Sequence, residues 1–143
     1  MKKAISYLRG QRVFTHASSK TTAGVWILEL PVFVADATDV GALGQQVTQA
    51  LRASKEGVPH PVSWKGIFDP VLELAGVKSW ATFVKSARCV GIESVSEEVS
   101  FISTENLGAS GGFNDIDRSA DPVAIFDTLA LGHGLMAAFE KAK

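Results

Sequence analysis

Metal coordination and nucleophilic catalysis draw on histidine, cysteine and activated serine; this chain has few histidines and cysteines, and its many serines lack an activating setting. The three histidines, His16, His60 and His133, lie far apart in the sequence, and Cys89 is the only cysteine. Protein metal sites usually take their ligands from pairs of such residues at short, fixed spacings, and no such pair occurs here. The sequence therefore predicts no metal site and no disulfide. Cys89 stands in an apolar run, which predicts a buried and inert thiol.

One glycine-rich segment, Gly108-Ala109-Ser110-Gly111-Gly112, has the spacing of a nucleophile elbow. It lacks the long buried strand before it and the helix after it that hold such a serine in place. It also lacks the lysine of a phosphate-binding loop, and acidic residues follow it. We therefore expect a flexible loop here, and no nucleotide or other cofactor.

Acidic residues are the remaining candidates for chemistry. Asp115 and Asp117 are two residues apart, so on a strand they would share one face. General acid–base catalysis needs burial or a charged neighbour to tune the carboxyl group, and the sequence names neither. One alternative stays open, in which the chain is a small hydrolase or transferase with a site around Asp115, Asp117 and His133.

Charge is distributed unevenly along the chain. Residues 93–127 contain eight acidic residues and one basic residue, whereas residues 1–65 contain eight basic and four acidic residues. An acidic surface repels nucleic acid and attracts cationic proteins. Trp64 follows a proline-rich loop, and an exposed tryptophan is a frequent anchor in protein interfaces. These features predict a protein-docking surface made of Glu93, Glu97, Glu98, Glu105, Asp115, Asp117 and Trp64.

Size and composition indicate one compact domain. The chain has 143 residues, of which 46% are hydrophobic and 20% charged, and this can supply a full core. No signal peptide or membrane-spanning run is recognisable, which predicts a cytoplasmic protein without membrane contact. We expect a single α+β domain over residues 1–143.

The hydrophobic pattern mixes strands and helices without regular alternation, which favours one antiparallel or mixed sheet packed against several helices. Strands are predicted at residues 5–8, 12–15 and 25–30, the last of them central and bulging or ending near Pro31. His16–Gly24 has the polar composition of a loop. Helices are predicted after Asp39, around 67–76, from Ser79, and from Asp121-Pro122 to the C-terminus. A hairpin is expected at 88–95 and 98–103.

Several of these segments, taken in order, resemble the CdiI-type immunity proteins of bacterial contact-dependent growth inhibition. The similarity spans nearly the whole chain. It involves Leu43-Gly44, His60-Pro61, residues 74–83, the strand at 89–92, Gly111-Gly112-Phe113, and the C-terminal helix with Leu131-Gly132, Leu135 and Ala138.

The resemblance implies a cytoplasmic, non-enzymatic protein that binds the C-terminal toxin domain of a large secreted effector and blocks its active site. Many such toxins are nucleases, and an acidic face would complement a basic nuclease cleft. The partner would then be a protein, with no direct contact to nucleic acid. Two other classes stay open at this point: the small enzyme described above and a structural subunit of a larger complex.

Overall fold

A computed structural model describes residues 1–143 as one eight-stranded sheet with four helices. The strands are β1 Lys2–Arg9, β2 Arg12–Thr21, β3 Trp26–Asp36, β4 Glu56–Val58, β5 Ala87–Val95, β6 Glu98–Asn106, β7 Phe113–Arg118 and β8 Val123–Ala124. The helices are α1 Val40–Ala53, α2 Asp69–Ala75, α3 Trp80–Val84 and α4 Thr128–Lys141. The predicted α+β class, with a C-terminal helix, is confirmed.

The sheet consists of two antiparallel meanders joined side by side. The main strand order is β3-β2-β1-β5-β6-β7, with β4 parallel to β2 and β8 antiparallel to β6. Pairing of β1 with β5 joins the meanders, so the first strand of the chain lies in the middle of the sheet. The predicted hairpin of β5 and β6 is confirmed and turns at Ser96 and Glu97, which both have the positive φ angles that a tight two-residue turn requires.

Helices α1 and α4 cover one face of the sheet, here called the helix face. Apolar residues of both helices pack on alternate residues of the central strands. This core contains Ala4, Val13, Leu43, Val47, Ala50, Leu51, Val90, Ile92, Val99, Phe101, Leu131, Leu135, Ala138 and Phe139. Gln46 of α1 is buried as well, and its side-chain amide is satisfied by a 3.2 Å hydrogen bond that it donates to the Thr15 hydroxyl.

The two helices cross at glycines. A Cβ atom added to Gly44 would lie 1.8 Å from the carbonyl oxygen of Thr128, and one added to Gly132 would lie 2.2 Å from that of Val40. Gly134 likewise leaves room for the ring of Phe101. These glycines therefore let the two helix backbones come into contact.

Helices α2 and α3 cover only part of the opposite face. Their apolar residues pack with Tyr7, Phe14 and Cys89 in a second, smaller cluster. The predicted end of α2 and the predicted start of α3 are confirmed, whereas α2 begins at Asp69, two residues later than expected. Ser79 caps α3 by accepting a hydrogen bond from the backbone of Thr82, and Gly76 ends α2 in the left-handed conformation.

Two predictions for the first meander are wrong. His16–Thr21 is not a loop but the second half of β2, and its polar residues are largely buried between neighbouring strands. The strand predicted at residues 25–30 is not central but forms the edge strand β3, which continues through Pro31 to Asp36. The expected irregularity at Pro31 is present, because the register with β2 shifts opposite it, between His16 and Ala17.

The start of the C-terminal helix was also predicted too early. Val123 and Ala124 form the short strand β8 on β6, and the helix begins at Thr128. Asp127, not Asp121, is the N-cap, and its carboxylate accepts a hydrogen bond from the backbone of Ala130.

Candidate protein-binding surface

Part of the second sheet face carries no helix. We call this region the open sheet surface and define it by the side chains that face it from β1, β3, β5, β6 and β7. They are Lys3, Ile5, Trp26, Gly91, Glu93, Ile102, Asp115 and Arg118. Since α2 and α3 stop at the cluster around Tyr7, this is the part of the sheet that an external partner can reach directly.

A three-residue ionic network crosses the open sheet surface. Arg118 donates a 2.6 Å hydrogen bond to Oε1 of Glu93, and the Lys3 ammonium lies 3.4 Å from Oε2. Partial burial would raise the pKa of Glu93, but Arg118 and Lys3 outweigh it and lower that pKa below its ordinary value. The Lys3 ammonium also lies 4.9 Å from the ring centroid of Trp26. Both oxygens of Glu93 are therefore already engaged.

Asp115 and Asp117 do not share a face, contrary to the sequence prediction. The register between β6 and β7 shifts so that Asp115 pairs with Thr104 and Asp117 with Ser103, which leaves Ile116 as an extra residue. Asp117 lies on the helix face, where Lys141 approaches it to 3.3 Å. Asp115 lies on the open sheet surface, is exposed, and makes no ion pair.

The other predicted acids lie elsewhere. Glu97 is in the β5–β6 turn and Glu98 begins β6, whereas Glu105 lies near the opposite end of β6 and is half-buried. The structure therefore distributes the six predicted acids over a hairpin end and both sheet faces. It brings Glu97 and Glu98 together at the hairpin end, and Glu93 and Asp115 together on the open sheet surface.

Trp64 lies in the segment between β4 and α2, and 53% of it is exposed. Its ring meets that of His60 edge-on at 5.7 Å, and His60 shares a 3.0 Å hydrogen bond with the hydroxyl of Thr21 at the end of β2. Val62 nearby is fully exposed. The predicted exposure of Trp64 agrees with the structure. The segment that carries it runs from β4 to α2 and contacts the end of β2 through His60.

The residues named for the alternative enzyme do not form one site. Asp115 and Asp117 lie on opposite sides of the sheet, and His133 is exposed on α4. The structure contains no group of three or more histidine, cysteine or carboxylate residues that could hold a metal. Cys89 is buried as predicted, and burial raises the pKa of its thiol to about 12.

Sequence reasoning missed Lys3, Trp26, Gly91 and Arg118 as members of a surface. Trp26 lies in an apolar segment, which is typical of a core strand, yet it is only half-buried. One signal was available in the sequence. Lys3 and Glu93 carry opposite charges, and opposite charges stabilise a strand pair when they lie directly across from each other. Finding it requires knowing that β1 pairs with β5, which the sequence does not state.

No protein-family model matches this chain, and no curated protein matches it by sequence. None of its four helices has the length and hydropathy needed to span a membrane.

Two solved structures resemble the chain over nearly its full length. A protein of unknown function from Neisseria meningitidis is 18% identical, with a TM-score of 0.78 over 99% of this chain and 95% of the other. A chain of the CdiA-CT/CdiI toxin and immunity complex from Yersinia pseudotuberculosis is 12% identical, with a TM-score of 0.77 over 99% and 97%. At these identities the likeness is one of fold, and at that level the resemblance expected from the sequence is confirmed.

Proposed function

We propose that this chain is an immunity protein, which binds the C-terminal toxin domain of a contact-dependent growth inhibition effector and neutralises it by covering its active site. The observation that carries the proposal is the fold, shared over almost the entire chain with a chain of a toxin and immunity complex. The open sheet surface adds a second line of support, since it leaves polar, aromatic and apolar side chains accessible to a protein partner.

The acidic character of residues 93–127 supports a cationic partner, and a nuclease domain that grips phosphates has such a surface. The chain would act in the cytoplasm, by protein contact alone, without catalysis. We further propose that residues 1–143 fold as one domain, because both hydrophobic clusters share strands β1, β2 and β5.

Co-expression tests the proposal. The C-terminal domain of a large exoprotein encoded beside this chain is induced in a bacterial host, with and without the chain. We expect the domain alone to stop growth and the chain to restore it, whereas an immunity protein from an unrelated system does not. Continued growth arrest in cells that contain the soluble, folded chain would show the proposal to be wrong.

A further inference from the structure

The open sheet surface contains a cavity of about 190 Å³ at its centre. Gly91 forms its floor, because it pairs with Ile5 on one side and with Ile102 on the other and has no side chain of its own. Ile5, Ile102 and the indole ring of Trp26 supply apolar walls. The volume is below the roughly 300 Å³ at which pockets for small-molecule ligands begin, so it suits a single inserted side chain.

The charged groups at the cavity leave one carboxylate without a partner. Lys3, Glu93 and Asp115 line the cavity, and Arg118 lies beside it on Glu93. Lys3 is held by Glu93, and Glu93 is held in addition by Arg118. Asp115 is thus the one charged group in the lining that has no internal partner, and it is exposed.

We propose that this cavity receives one arginine side chain of the bound toxin domain. The alkyl part of the side chain packs between Ile5 and Ile102, in the depression left by Gly91. The guanidinium group reaches Asp115 and forms a charge-assisted hydrogen bond, which is stronger than a neutral one. Trp26 adds an aromatic wall for the alkyl part, since the Lys3 ammonium already lies 4.9 Å from its ring centroid. The inference rests on the proposed function only in naming the source of the arginine.

Two features of the chain allow this proposal to be tested without disturbing the fold: a glycine that can be replaced and a matched control carboxylate. A Cβ atom at Gly91 would lie 3.6 Å from Cβ of Ile102, an ordinary contact, so Gly91→Val fills the cavity without a backbone clash. Valine also favours strand geometry more than glycine does, so we expect stability to be kept or raised. Asp117 is a matched control for Asp115, since it is on the same strand but faces the helices.

The probe is L-argininamide, titrated into the purified chain while amide and indole signals are followed by NMR. We expect saturable shifts centred on Gly91 and on the indole N–H of Trp26, with a dissociation constant in the millimolar range because the probe is small. Asp115→Asn and Gly91→Val should each weaken binding at least tenfold, whereas Asp117→Asn should leave it unchanged. Citrullinamide, which has the same shape without the charge, should not bind.

Three results would overturn the inference. The first is argininamide binding that Asp115→Asn and Gly91→Val leave intact. The second is preference for an N-acetylaspartate amide probe over argininamide, which would make this an anion site. The third is a concentration-dependent shift of the same signals without any probe, which would mean that a second copy of the chain occupies the surface.

The proposed function can fail independently. If argininamide binds as expected but the neighbouring toxin domain forms no complex with the wild-type chain, the cavity is a cation site and the immunity role is wrong. If the toxin domain binds the wild type and Gly91→Val equally well, the immunity role stands and the arginine assignment is wrong.

Discussion

Asp115 and Asp117 lie two residues apart on β7 but face opposite sides of the sheet, because Ile116 is an extra residue in the pairing with β6. Asp117 contacts Lys141 of the C-terminal helix, whereas Asp115 faces the open sheet surface without an ion pair. A single strand therefore offers two carboxylates of equal chemistry in different environments. This contrast allows the docking surface to be located by paired substitutions.

The first prediction concerns the rate of toxin binding. Replacing Asp115 with lysine should slow association with a cationic toxin domain several-fold at low salt and reduce the salt dependence of that rate, because charges in an interface steer the encounter. The rate is measured by stopped-flow fluorescence over a salt titration. Asp117→Lys, on the helix face, is the control and should change the rate much less. Equal effects of the two substitutions on the association rate would show that the toxin domain does not dock on the open sheet surface.

The hairpin end is tested separately. Glu97 lies in the β5–β6 turn and Glu98 is the first residue of β6; both are exposed, and neither lines the cavity of the open sheet surface. If the partner docks on the open sheet surface, the double variant Glu97→Lys/Glu98→Lys should slow association less than Asp115→Lys does, in the same stopped-flow assay. A larger effect of the double variant would place the docking site at the hairpin end.

The second prediction concerns the α1–α4 crossing. Gly44→Ala should lower the free energy of unfolding by about 3 kcal/mol or more, because the added methyl group would collide with the Thr128 carbonyl and force the helices apart. Urea denaturation measures this. Gly41→Ala on the same helix is the matched control, since its Cβ meets nothing closer than 3.8 Å. Alanine there should leave stability unchanged or raise it by up to about 1 kcal/mol.

The third prediction concerns pH. His16 is buried, its Nδ1 lies 2.7 Å from the Ala17 carbonyl oxygen, and its Nε2 has no partner. Burial lowers the pKa of His16 to about 4, although the Ala17 carbonyl opposes this. The unfolded chain takes up a proton near pH 6.5 and the native chain does not, so stability falls as pH drops from 6.5 to 4.

Over this pH range the titration of His16 should lower the free energy of unfolding by about 3 kcal/mol in total. His16→Phe keeps an aromatic ring beside Tyr7 and removes the titrating group, so its stability should depend less on pH over this range. Urea denaturation of both proteins at pH 7, 5.5 and 4.5 provides the comparison. An identical pH dependence in the two proteins would contradict the assignment.

The fourth prediction concerns Cys89. Its thiol is buried and has a pKa of about 12, so little thiolate forms at pH 8. A thiol reagent such as dithionitrobenzoate should therefore label the native protein only as fast as the chain unfolds, and label it at once in 6 M guanidinium. Rapid stoichiometric labelling of the native protein would show that the thiol is accessible.

Local signals predicted most elements of this fold. Asp39, Ser79 and Gly76 lie at the helix ends expected of them, and the hairpin turns at Ser96 and Glu97 as its residues indicated. Long-range pairing produced the exceptions. Asp121 and Asp127 are equally good caps in isolation, and the pairing of Val123 with Val99 decides between them.

Polar composition misled the assignment of His16–Thr21 for a related reason. These residues tolerate burial because neighbours satisfy them: Ser6 and Thr15 share a 2.8 Å hydrogen bond, and Ser54 of the α1 C-cap bonds the Ser18 carbonyl. The candidate site was predictable only as a set of acids. Its actual position depends on the β1–β5 pairing, which only the opposite charges of Lys3 and Glu93 indicate, and on the irregularity at Ile116, which has no signature in the sequence.

The most direct test of the central claim is a calorimetric titration of the purified chain with the purified, inactivated toxin domain encoded beside it. We expect a saturable 1:1 complex in the nanomolar range, in which Gly91→Val weakens binding and Asp117→Asn does not. No heat of binding between two proteins that are each shown to be folded would contradict the account.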